Sequence, residues 1–185
     1  SEPETQALRD FALEHDFKYA ISFHSGAEII IYPWSYTEEP PPDAETFREI
    51  GGNLSHVIGC PYGQVSTSLY TASGSWEDWM YGNRSVIAFT CEIFSNQSEW
   101  FLELGPTPYT RWQGGLRYAF NPRPSQIETT LLRWLPVFTY ITDRAISEAE
   151  KVHDVAVAGV VPSKTIVTQG DSISVNVTIE NQGGS

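Results

Sequence analysis

The run Tyr19-Ala20-Ile21-Ser22-Phe23-His24-Ser25 constrains the fold more than any other stretch of this chain. It reads as a buried strand that ends in a histidine, and a helical pattern precedes it directly. A helix followed at once by an apolar strand is the rhythm of an α/β domain. Open α/β sheets bind ligands at the carboxyl ends of their strands, so His24 stands where a metal ligand would work. Further along, a carboxylate, Glu92, interrupts the apolar run Val86-Ile87-Ala88-Phe89-Thr90-Cys91-Glu92-Ile93-Phe94. One histidine cannot hold zinc, because a catalytic site needs three protein ligands and an open position. His15, His56 and His153 are scattered, and no His-x-x-His, His-x-x-Glu or Cys-x-x-Cys spacing occurs. The partners of a ligating His24 therefore lie outside this chain.

A length of 185 residues holds one core, or one domain and the beginning of another. The hydrophobic content of 41% excludes wholesale disorder. A formal charge of −12 excludes nucleic acid and anionic membranes as partners, since both select basic patches. The only lysines are Lys18, Lys151 and Lys164, and they form no cluster. No apolar stretch approaches the roughly 20 residues of a membrane span. Cys60 and Cys91 permit one disulfide without requiring it. Asn-x-Ser/Thr triplets begin at Asn53, Asn83, Asn96 and Asn176, a pattern compatible with export.

Ser1-Glu2-Pro3-Glu4 is a capping box with proline in the first turn, and predicts a helix to about His15 that buries Leu8, Phe11 and Ala12. Strands are predicted over Phe17 to Phe23 and Ala27 to Tyr32, the second stopped by Pro33 and the Pro40-Pro41-Pro42 loop. Phe47, Ile50, Leu54 and Val57/Ile58 recur at helical spacing, so a helix is predicted over Asp43 to Ile58 despite Gly51-Gly52. A short helix begins near Ser75 and stops at Gly82, and the strand carrying Glu92 follows. Residues 95–123 are rich in loop signals. Ser125-Gln126-Ile127-Glu128 is a second capping box, opening a long helix with Ile127, Leu131, Trp134, Phe138, Ile141 and Ala145 on one face. Pro136 is expected to kink it. After Lys151 the pattern becomes alternating: Val155, Val157, then Ile173, Val175, Val177 and Ile179, with the turn Gln169-Gly170-Asp171 between. Two strands cannot stand alone, so a second, β domain is expected to be cut off at Ser185.

Several of these stretches together resemble the second half of a zinc metallocarboxypeptidase of the carboxypeptidase A/B family. They are Phe23-His24-Ser25 with Ile31-Tyr32-Pro33-Trp34-Ser35-Tyr36, Ser68-Leu69-Tyr70-Thr71-Ala72-Ser73-Gly74-Ser75-Trp76-Glu77-Asp78-Trp79, Phe89-Thr90-Cys91-Glu92 and Pro124-Ser125-Gln126-Ile127. The resemblance runs from Ser1 to about Glu150 in matching order and intervals. It implies an α/β fold, the C-terminal part of a mixed-sheet, three-layer α/β/α domain, over residues 1–150.

The resemblance also implies roles. His24 would be the third zinc ligand. Glu92 would be the catalytic general base that deprotonates the zinc-bound water and then protonates the leaving amine. Tyr70 would close over the substrate and hydrogen-bond its terminal carboxylate, and Ser25 would line the cleft. Glu77 and Ser35 fall at the base of the pocket for the substrate's C-terminal side chain. That position is apolar in A-type enzymes and acidic in B-type ones, so Glu77 implies a preference for C-terminal Lys or Arg. The family's first two zinc ligands, its carbonyl-polarising arginine and its carboxylate-binding Asn-Arg pair precede this region and are absent. Phe94 replaces the arginine that commonly follows the catalytic glutamate by two.

The tail, from His153-Asp154-Val155 through Val161-Pro162-Ser163 to Asn181-Gln182-Gly183, resembles the start of an immunoglobulin-like repeat of the cell-adhesion-related type found in bacterial and archaeal surface proteins. Residues 151–185 would then be a linker and the first strands of an Ig-like β-sandwich. The combined expectation is part of an extracellular or cell-surface, zinc-dependent carboxypeptidase acting on the C-termini of peptides and proteins. Its Ig-like module would offer surface or matrix contacts. The isolated chain would be inactive, having one zinc ligand. The rival expectation is a carboxypeptidase-like adhesion protein that has lost its metal. A serine hydrolase fails on sequence, since no Gly-x-Ser-x-Gly elbow occurs.

Overall fold

The structure, a computed structural model, describes residues 2–96, 120–150, 155–162 and 175–181. The chain forms two compact units, residues 1–138 and 139–185. The first unit contains α1 (Pro3–Glu14), β1 (Tyr19–His24), β2 (Glu28–Tyr32), α2 (Ala44–Ile58), β3 (Tyr62–Gln64), α3 (Val65–Ser68), α4 (Trp76–Arg84) and β4 (Ile87–Ile93). The long helix α5 (Pro124–Glu150) contributes to both units.

Four strands make a mixed sheet in the order β1-β4-β2-β3. β1 runs parallel to β4, β4 antiparallel to β2, and β2 parallel to β3. Side chains alternate between the two faces of a strand, which sorts the core into two halves. On one face, Tyr32 stacks on Phe47 of α2 at 5.3 Å, and Phe89 meets Phe47 edge-on at 5.4 Å. Phe47, Ile50 and Leu54 of α2 are wholly buried here, as the helical spacing predicts, while Val57 is half-exposed and Ile58 buried. On the other face, Ala12 of α1 and Met80 of α4 pack with Val86 and Ala88, flanked by Phe17, Ala20, Trp76 and Trp79. Thr90 and Glu92 follow Ala88 at the period of two, so they share the α4 face.

Local chemistry explains several boundaries. α2 runs through Gly51-Gly52, and a Cβ on Gly51 would come within 2.7 Å of the Tyr62 ring, so the glycine lets β3 approach the helix. Gly59 ends α2 with a left-handed φ of 72° and donates back to Ser55 O at 2.8 Å. Ser75 caps α4, its hydroxyl accepting from Asp78 N at 3.4 Å. The helix ends at Ser85, also left-handed, rather than at Gly82.

Four expectations about the two terminal helices need correction. Glu2 precedes α1 without a side-chain capping bond, and of the helix's apolar residues only Ala12 is buried. Leu8 and Phe11 are half-exposed, because the small Ala12 makes the close approach and Phe11 packs locally on His15 and Phe17. α5 begins at Pro124, where Gln126 rather than Glu128 supplies the capping carbonyl, accepting from Arg123 N at 3.0 Å. Its buried face is Trp134 and Val137, whereas Ile127, Leu131 and Phe138 are half-exposed, Phe138 stacking on Phe23 at 4.9 Å. Arg133 joins α5 to the rest of the unit, donating to Ile58 O at the end of α2 and pairing with Glu28.

Cys60 and Cys91 are both free and buried. Cys60 leads into β3 and Cys91 lies in β4, with β2 between them.

In the second unit, β5 (Val155–Pro162) and β6 (Val175–Asn181) pair antiparallel, with a register break between Val157 and Gly159. Among the described residues, this bears out the alternating pattern as β structure, and these two strands alone do not make a sandwich. The turn Gln169-Gly170-Asp171, Ile173 and residues 97–119 of the loop-rich region lie outside the described residues. Among the described residues, no helix is long and apolar enough to cross a membrane.

Candidate active site

Strands β1 and β4 end side by side, and their parallel register makes His24 and Glu92 Cα partners. The two apolar runs that carry them are equal in phase, so each delivers its polar residue to the same end of the sheet. His24 is exposed at the strand exit. It lines a cleft of about 260 Å³ with Phe23, Ser25, Phe94, Phe120 and Thr130.

Glu92 is half-buried, and its Oε2 is buried without a hydrogen-bond partner among the described residues. Burial pushes its carboxyl pKa up, and the nearby Glu77 pushes the same way. His24 and a hydrogen bond from Ala27 N–H pull it back down.

Glu77 sits in the first turn of α4 and is 7% exposed. Its carboxylate accepts from Ser35 Oγ at 2.9 Å on Oε1 and from Thr90 Oγ1 at 3.1 Å on Oε2. Both donors are neutral hydroxyls, and together they hold the Glu77 side chain in place. Ser35 is wholly buried; its N–H donates to both oxygens of Asp78 at 2.9 and 3.0 Å. Burial raises the Asp78 pKa, partly offset by the Ser35 N–H, with Glu77 adding to the rise.

The structure thus brings Ser35 and Glu77 together, and places Glu92 within electrostatic reach of both His24 and Glu77. Tyr70 stands apart, 69% exposed on the loop after α3. Thr90 was missed by sequence reasoning, although period-two alternation from Glu92 would have found it. No three His, Cys, Asp or Glu side chains converge among the described residues. His24 offers one imidazole, and the described residues do not by themselves make a zinc centre.

The arrangement defines a mixed-sheet α/β domain with an imidazole and a carboxylate paired at parallel strand ends. A family model described as zinc carboxypeptidase matches residues 1–133, and the chain belongs to that family. Carboxypeptidase A4 of Mus musculus is 35% identical over 125 residues, covering 62% of this chain and 30% of the relative. Carboxypeptidase A1 of Bos taurus is 31% identical over 127 residues, covering 63% and 30%. The chain therefore spans about 30% of the length of the curated relatives it matches. The fold is similar to bovine thrombin-activatable fibrinolysis inhibitor in complex with tick carboxypeptidase inhibitor. That match has a TM-score of 0.61 and 24% identity, covering 80% of this chain and 47% of the other. Carboxypeptidase A from Helicoverpa armigera superposes with a TM-score of 0.54 at 22% identity, covering 82% and 36%.

Proposed function

We propose that residues 1–150 are the C-terminal part of the catalytic domain of a zinc-dependent carboxypeptidase that releases C-terminal residues from peptides, with a preference for Lys and Arg. The observation that carries this reading is the pairing of His24 and Glu92 at the ends of β1 and β4, in a chain of the zinc carboxypeptidase family. His24 is assigned as one metal ligand, its companions lying outside the described residues. Glu92 is the general base: it accepts a proton from the attacking water and returns it to the departing amine. Its raised pKa and its unsatisfied Oε2 suit both transfers. Tyr70, exposed on its loop, is free to fold over a bound C-terminus, and Ser25 lines the cleft beside His24.

Glu77 is assigned as the selectivity residue, with Ser35 as its support. A buried carboxylate held by two neutral hydroxyls attracts a cationic side chain and gains nothing from an apolar one. Residues 151–185 are assigned as a linker and the opening strands of an Ig-like module, in an exported protein that meets a cell surface or matrix. The apolar residues left exposed on α1 and α5, Leu8, Leu13, Leu131 and Leu135, suit cover by the remainder of the domain.

The test is hydrolysis of matched peptides ending in Arg and in Phe by the full-length protein and its Glu92→Gln variant. The expected result is faster release of Arg, and loss of nearly all turnover in the variant. Faster release of Phe would remove the selectivity assignment. Equal turnover by both proteins would remove Glu92 as base, and no cleavage by the wild type would leave a carboxypeptidase-like binding protein.

A further inference from the structure

Between Pro33 and Pro42 the chain leaves β2 and reaches α2 through a loop with three consecutive prolines, which carry no backbone N–H. Its carbonyls on either side of Ser35 are instead gripped by a side chain from another strand. Gln64, the last residue of β3, is 8% exposed, and the two hydrogens of its Nε2 are shared among Thr37 O at 2.8 Å, Glu39 O at 3.0 Å, Ser66 Oγ at 3.1 Å and Trp34 O at 3.3 Å. Three carbonyl acceptors around one atom identify that atom as the amide nitrogen rather than the oxygen. Ser66, two residues on, reinforces the same grip: its Oγ donates to Thr37 O at 2.7 Å and its N–H to Trp34 O at 3.3 Å.

The gripped carbonyls flank Ser35 on both sides. Ser35 in turn joins three segments. Its N–H donates to Asp78, its Oγ to Glu77 Oε1, and its carbonyl accepts from Ala72 N at 2.9 Å. Ala72 lies two residues beyond Tyr70. A displacement of Ser35 would therefore move the pocket carboxylate and the Tyr70 loop together.

We propose that Gln64 is a positioning residue for substrate binding, clamping the 33–42 loop on both sides of Ser35 and thereby setting the Glu77 pocket and the Tyr70 loop in register. It touches no reacting atom and acts through Ser35. The proposal rests on the carboxypeptidase reading for what the pocket binds, while the clamp itself is open to a separate measurement.

Gln64→Glu keeps the shape and turns a carboxylate oxygen against three carbonyl oxygens. Gln64→Met keeps the length and removes the donors with no new charge, and serves where the first variant fails to fold. In the 185-residue chain, amide hydrogen exchange followed by NMR should quicken at least tenfold at Ser35 and Ala72 in either variant. Ala88 and Phe89 in β4 should stay within twofold. Unchanged exchange at Ser35 and Ala72 overturns the proposal, and so does a uniform acceleration at all four amides, which marks plain loss of stability. In the full-length protein, KM for an Arg-terminated peptide should rise at least tenfold with kcat within threefold. A fall in kcat at constant KM overturns the positioning role. If the wild type cleaves no peptide, the carboxypeptidase reading fails, and the exchange result still decides the clamp.

Discussion

His24 and Glu92 face one another as register partners at the carboxyl ends of two parallel strands, one at the edge of the sheet and one inside it. Parallel pairing is what makes this possible, because both strands then present their carboxyl ends, and their polar residues, on the same side. An antiparallel pair would have sent the imidazole and the carboxylate to opposite ends. The neighbouring β2 runs antiparallel and contributes instead the loop that holds Ser35 against α4.

The assignment of Glu77 as the selectivity residue carries the first prediction. Glu77→Gln removes the charge but keeps an acceptor for the Ser35 and Thr90 hydroxyls. In the full-length protein it should lower the ratio of Arg to Phe release at least tenfold, with little loss on Phe. Thr90→Val keeps the side-chain shape and leaves Glu77 Oε2 without its donor, which costs about 1–3 kcal/mol or more for a buried acceptor. The ratio should fall in the same direction and the melting temperature should drop. An unchanged ratio in both variants would show that Glu77 is structural.

A second prediction concerns metal. With one imidazole and no converging group of three ligands among the described residues, the 185-residue chain should bind zinc weakly. Isothermal titration at neutral pH should give no stoichiometric tight phase, and His24→Ala should change little. Tight one-to-one binding, abolished by His24→Ala, would mean that residues outside the described set complete a site within this chain.

Asp78 gives a pH prediction. Its pKa in the folded chain is raised above the ordinary 3.8, first by burial and then by Glu77. Between the unfolded and folded values the folded state binds more protons, so this carboxyl's contribution to stability falls as pH rises through that window. Asp78→Asn cannot ionise and loses that dependence. Urea unfolding from pH 4 to 7 should show the variant gaining on the wild type as pH rises. Parallel profiles would contradict the assignment.

How much of this was legible in the sequence differs by element. The strands around His24 and Glu92 could be read because apolar runs bounded by turn residues have few alternatives. α2 could be read because its buried positions recur at the helical period over four turns. The faces of α1 and α5 were misread for one reason: periodicity marks which residues are apolar, and not which of them find a neighbour. Leu8, Ile127 and Leu131 keep the period and remain half-exposed. Glu77 and Ser35 were brought together by resemblance alone, since 42 residues separate them and no pattern links a loop to a helix N-terminus. Gln64 gave no signal, because the three residues of β3 are too few to show alternation.

The last prediction tests the turn that carries the chain from His24 into β2. Gly26 has φ +134°, a region that residues with a side chain rarely enter, and its N–H donates to Phe94 O at 2.8 Å. A Cβ at this position would also overlap the Phe120 ring. Gly26→Ala therefore faces two separate penalties, backbone strain of order 1–3 kcal/mol and the displacement of Phe120. Phe120→Ala opens the space but leaves the strain. In urea unfolding, Gly26→Ala should be destabilised by about 2 kcal/mol or more, and adding Phe120→Ala should recover only part of that relative to Phe120→Ala alone. Full recovery would show that overlap was the whole cost, and no loss in the single variant would mean that the turn relaxes freely. The distinction matters for the site. A turn held by strain fixes the direction in which His24 and Ser25 leave β1, whereas a turn held only by an aromatic ring would let them move whenever Phe120 swings out of the cleft it shares with His24.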